Sequence, residues 1–113
     1  MKMLLAVLVG SLAAASSLAA PKAESAMECG IAADMAVVAR SLAEESVQRP
    51  QANAIMARIY DVSESARGRE LMRDILDAAY RTNGSSSQQF AEDLFSACMK
   101  TGGNMDKILG RRL

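Results

Sequence analysis

The chain contains no histidine, and that alone removes much of the chemistry it could do. Ser–His and Cys–His nucleophilic systems, histidine-based zinc sites and the commonest general base are all excluded. Two cysteines remain, Cys29 and Cys98. They lack CxxC spacing and have no supporting histidine, so they are read as a structural disulfide. A redox-active or metal-binding pair is the alternative. The carboxylates offer three neighbouring pairs: Glu44 with Glu45, Glu92 with Asp93, and Asp74 with Asp77. Adjacent helical residues point about 100° apart, so the first two pairs do not converge for acid–base work. Asp74 and Asp77 could share a face, but Arg73 and Arg81 are close in sequence. All three are read as solvated helix faces, and none has calcium-loop spacing. The methionines beyond the leader (27, 35, 56, 72, 99 and 105) are scattered and fall mostly on apolar stripes, which points to core packing rather than metal handling. Arg67, Arg69, Arg73 and Arg81 form the one local basic concentration. It reads either as a solvated face balanced by Glu64, Glu70, Asp74 and Asp77, or as a patch that faces a partner. No phosphate loop, nucleophile elbow or dinucleotide fingerprint is present. The sequence therefore calls for no cofactor and no metal, and does not read as an enzyme.

What must position these residues begins with an export signal. Met1-Lys2 is a basic start, Met3 to Leu12 is nearly all apolar, and Ala13 to Ala20 is rich in alanine and serine. This is the pattern of a secretory signal peptide rather than a membrane span. Cleavage after Ala19 is expected, which divides the chain into a signal peptide (1–19) and a single helical domain (20–113). No lipid-attachment box precedes Cys29. The abundance of arginine over lysine and of alanine hints at a GC-rich bacterial genome, and with the signal it makes the periplasm the expected location. Loss of Lys2 from a chain with 13 basic and 13 acidic residues leaves it near neutral. That removes the electrostatic case for nucleic acid or an anionic surface. No later stretch is apolar enough to insert stably in a membrane. Two cysteines in a small exported chain normally pair, and only one connectivity exists.

The periodicity is helical throughout. Met27, Ile31, Met35, Val38 and Leu42 predict a first helix from Glu28 to about Val47, with alanines on its other angles. Cys29 points nearly opposite Ile31 and Met35, so this helix either starts after Cys29 or is flanked on two sides. Arg49-Pro50 ends it and opens a second helix marked by Ala52, Ile55, Met56, Ile59 and Tyr60. After a polar joint at Asp61–Ser65, Leu71, Met72, Ile75, Leu76, Ala79 and Tyr80 form the apolar face of a third helix. Arg73–Asp77 and Asp77–Arg81 have i, i+4 spacing on its polar side. Thr82-Asn83-Gly84 stops it. A Ser-x-x-Gln capping box, in either of two registers, starts a fourth helix carrying Phe90, Leu94, Phe95, Ala97, Cys98 and Met99. Thr101-Gly102-Gly103 breaks that helix. Met105, Ile108 and Leu109 are expected to dock one more turn, and Gly110–Leu113 to fray. The predicted fold is all-α: a small four-helix antiparallel bundle with one disulfide. In up-down-up-down order, Cys29 and Cys98 meet at the same end.

Cys29, the segment Ile75-Leu-Asp-Ala-Ala-Tyr80 and Phe90-Ala-Glu-Asp-Leu-Phe-Ser-Ala-Cys98 together resemble a loose class of small exported bacterial helical proteins with an end-to-end cysteine pair. Proteins of this size and location include the immunity proteins that block type VI amidase effectors and the acid-stress chaperones of enteric bacteria. The resemblance implies a non-catalytic periplasmic protein that binds a protein partner, of the inhibitor or immunity type. The alternatives are a stress chaperone and, further off, a carboxylate-dependent enzyme. It transfers no binding residue by position.

Overall fold

The computed structural model describes residues 23–61, 65–82 and 84–110. The expected signal peptide, residues 1–19, the expected cleavage site and the tail residues 111–113 lie outside them. Among the described residues five helices follow one another: α1 (Ala26–Glu44), α2 (Arg49–Ile59), α3 (Ala66–Arg81), α4 (Ser87–Lys100) and the single turn α5 (Asp106–Leu109). Among the described residues there is no strand, and no helix is long and apolar enough to cross a membrane.

Serines begin three of the four long helices. Ser25 Oγ accepts from the Glu28 amide, Ser65 Oγ from Gly68 and Ser86 Oγ from Gln89, each satisfying a backbone donor that the first turn leaves unpaired. Of the two capping registers open to α4, the fold uses Ser86–Gln89. The Gln89 amide turns forward to Asp93 rather than back to the cap. Pro50 lies in the first turn of α2, where its missing N–H costs nothing. Gly68 likewise falls in the first turn of α3 and does not interrupt it.

The first helix ends at Glu44, three residues before the expected Val47. Ser46 takes a left-handed φ of 62°. The Ser46 amide donates to Ala43 O and the Val47 amide to Leu42 O, closing a Schellman motif around a serine instead of the usual glycine. Val47 and Leu42 are both partly buried against the core.

Helices alternate in direction. The starts of α1 and α3 meet at Glu28 and Arg67, and their ends meet where the Tyr80 hydroxyl donates to Val47 O. Helix α4 runs the other way, with Cys98 near its end at Cys29 and its leading loop at Arg40, whose Nε donates to Ser85 O. Arg49, at the start of α2, reaches Asp77 near the end of α3 at 2.6 Å and lies over the Tyr80 ring. The bundle is not square. Helix α1 packs on α4, α3 and α2, and α5 packs on both α3 and α4, bridging them.

This central position explains a correction to the expected buried face of α1. Cys29, Ala32, Met35, Ala36, Ala39 and Arg40 are buried, whereas Met27 is 74% and Ile31 42% exposed. The helix includes Cys29 from its second turn and is flanked on two sides. It faces inward with small residues because neighbours on both sides approach its backbone closely. The expected stripes of α3 and α5 are buried or partly buried. In α2, Ala52 and Met56 face the core while Ile55 and Ile59 remain exposed. Asp74, read from the sequence as a solvated carboxylate, is buried in α3.

The Cys29 and Cys98 sulfurs are 2.02 Å apart, at disulfide-bonding distance. Beside them lies a second tie. Ala23 is buried, and its amide donates to Gly103 O at 2.8 Å, while the Gly103 amide donates to Cys98 O at 2.7 Å. Gly103 has a φ of 104°, and a Cβ there would sit 2.0 Å from Ala23 O, so only glycine fits.

A candidate protein-docking groove

A shallow groove of about 460 Å³, open to solvent, lies between α1 and α4. Its geometry follows from helical spacing. Gly30, Ala33 and Val37 recur at i, i+3 and i+7 along one edge of α1, and Ala91 and Phe95 at i, i+4 along α4. The floor consists of the small residues. Gly30 has nothing within 4 Å of the place a Cβ would occupy. The walls are Val37, 38% exposed, and Phe95, 40% exposed. Both helices are fixed relative to each other by the cysteine pair, by Ala23–Gly103 and, at the other end, by Arg40–Ser85.

Among the described residues, the charged side chains lining the groove are acidic, Asp34 and Glu92. Asp34 is held in place from α2, because the Tyr60 hydroxyl donates to its Oδ2. Burial, and then this bond, push the Tyr60 hydroxyl well above its usual range. A rigid apolar trough with a carboxylate on each helix has no convergent acid and base. It can bury an apolar ridge and attract positive charge.

Two smaller recesses are structural in character. One, of about 220 Å³, lies along the seam of Ala23, Cys29, Cys98 and Gly103. The other, of about 160 Å³, has Ile31, Met35 and Leu71 at its base and Arg67 at its rim. Arg67 grips Glu28 with two hydrogen bonds of 2.8 Å and approaches Glu24 at 3.5 Å. The Arg67 fork and the Glu24 amide together hold the Glu28 carboxyl down at about 2.

The four arginines singled out in the sequence do not converge. Arg67 pairs with Glu28 across to α1, and Arg73 with Glu70 on its own helix at 3.2 Å. Arg81 donates to Leu109 O of α5 at 2.8 Å. Arg69 is exposed. Arg67 and Arg81 are about 21 Å apart along the helix axis at 1.5 Å per residue. Asp77 meets Arg49 of α2. Among the described residues, no cluster of three or more Cys, Asp or Glu gathers as a metal site would. The groove itself escaped the sequence reading. Its one signal was Gly30, a glycine in a helix interior.

Comparison with known proteins finds no matching family model, no matching curated protein and no matching solved structure.

Proposed function

We propose that this chain is a non-catalytic periplasmic binding protein, of the inhibitor or immunity type, that engages a protein partner through the α1–α4 groove. The supporting observation is the groove itself: half-exposed Val37 and Phe95 on a small-residue floor, carried by two helices tied at both ends. Side chains presented on a fixed backbone lose little further freedom on binding, and this favours affinity from a modest area. An open trough suits a protein surface better than a small molecule, which is normally enclosed over most of its area.

Photo-crosslinkers placed at position 37 or 95, in periplasmic extract, test the reading. One stoichiometric adduct is expected, lost on Val37→Glu or Phe95→Glu at the other wall. Repeated absence of any adduct from either position would sink it. Export is tested separately by fusing residues 1–25 to a reporter active only outside the cytoplasm.

A further inference from the structure

Resting on the reading of the groove as a docking surface, we infer that its occupant is a basic amphipathic helix of the partner, with a small apolar ridge flanked by lysine or arginine. Two observations on opposite helices carry this. The first is charge. Among the described residues, the charged groups lining the groove are Asp34 on α1 and Glu92 on α4. A helix lying between them meets a carboxylate on each side, so cationic flanks are attracted and anionic flanks repelled. The same argument disfavours a second copy placed groove to groove, since carboxylates would face carboxylates.

The second observation is Gly30. It sits in the second turn of α1, where glycine weakens a helix relative to alanine. Among the described residues nothing requires it, because none comes within 4 Å of where its Cβ would lie. Glycine in such a place lets another backbone approach closely. With Ala33 one turn on, it leaves room for a ridge of ordinary side chains to settle on the floor, while Val37 and Phe95 close on its sides. Interdigitation of this kind is the helix-in-groove mode of recognition.

The test uses two synthetic helical peptides with one shared alanine–leucine ridge, flanked by lysine in one and glutamate in the other. Each is titrated into the isotopically labelled oxidised protein at low salt. The lysine peptide should bind at least tenfold more tightly and shift the amides of Gly30, Val37 and Phe95. Glu92→Lys, at an exposed position, should abolish or invert the preference. Gly30→Leu should keep or raise the melting temperature yet weaken the lysine peptide at least tenfold. Equal binding of the two peptides, shifts elsewhere on the surface, or a preference untouched by Glu92→Lys would overturn the inference. So would concentration-dependent dimerisation removed by Gly30→Leu. If the crosslinked partner is lost with Phe95→Glu but indifferent to Glu92→Lys, the docking surface stands and the basic helix falls.

Discussion

Replacing both cysteines, Cys29→Ala with Cys98→Ala, removes the covalent tie between the first long helix and the last. The two positions are 69 apart in sequence. Closing a loop of that size costs the unfolded chain about 4 kcal/mol in the chain-entropy model, and the cross-link spares folding that cost. Both side chains are buried, so truncation also leaves a void comparable to a lost methyl group at each, of the order of 1 kcal/mol in all. The native contacts that set the register survive, because Ala23–Gly103 and Arg40–Ser85 are independent of sulfur. The expected loss is therefore about 4–5 kcal/mol, against a net stability of about 5–15 kcal/mol for a domain. Urea unfolding followed by far-ultraviolet circular dichroism reads this directly. With a slope of about 1.5 kcal/mol per molar, the midpoint should fall by about 3 M, and a variant of low starting stability should be largely unfolded in buffer. A loss below about 1 kcal/mol would refute the reasoning, because the helix interfaces would then suffice without loop closure.

Three further outcomes follow from single positions. Gly103→Ala places a Cβ against Ala23 O at a left-handed φ and breaks the Ala23–Gly103 hydrogen bond; a loss of about 2–3 kcal/mol is expected in the same urea assay, and a neutral result would mean the lead-in is not held there. Ser46→Gly relieves a non-glycine φ of 62° at the end of α1 and should stabilise by about 1 kcal/mol, read as a melting temperature raised by several degrees. Glu28 titrates near 2 in the fold against 4.5 for the free side chain. A depressed carboxylate stabilises fully above its unfolded pKa, so this contribution is present above about pH 4.5 and is lost as pH falls toward 2. Arg67 is about half exposed, which limits the pair to about 1 kcal/mol or less, and Glu28→Gln should flatten the melting profile across that window by no more than this amount.

The parts of the fold legible in the sequence are those written in large side chains or in caps. Helix α3 buries Met72, Ile75 and Leu76 as its periodicity predicts, because side chains of that size gain most by leaving water. Cys29 and Cys98 had one possible connectivity, and alternating helices bring them to one end. Helix α1 was misread at Met27 and Ile31 because its inner face, Met35 and Arg40 apart, is alanine and cysteine. Small residues carry weak periodic signal, and which face they bury is decided by what packs against them. The Ala23–Gly103 tie left almost no trace, since it is made by backbone atoms. Gly102-Gly103 announced a break in the helix but not the segment lying across it. Arg40 and Asp74 were invisible as interior residues for a similar reason: burial of a polar side chain depends on neighbours distant in sequence, such as Ser85 for Arg40. The groove follows the same rule, being a property of two helices whose meeting depends on the rotation of α1.

That rotation has a consequence for what the domain can do. Turning α1 so that alanines face inward places Met27 and Ile31 outward, and α4 displays Phe95 and Met99 in the same way. Stability alone favours the reverse arrangement, since each large apolar side chain brought into the core contributes about 1.5–3 kcal/mol and an alanine far less. An inner face rich in alanine lets the neighbours of α1 pack closely against it while that helix itself contributes little apolar area beyond Met35. The domain also retains on its surface the side chains from which interface anchors are made. Helical glycine at position 30 follows the same pattern, since it weakens α1 and leaves the floor of the groove open. An α1 inner face rich in alanine, the exposed Met27, Ile31, Phe95 and Met99, and the cross-link between α1 and α4 all fit the docking role proposed above, which is why the α1–α4 groove, rather than the arginines of α3, is where the binding experiments belong.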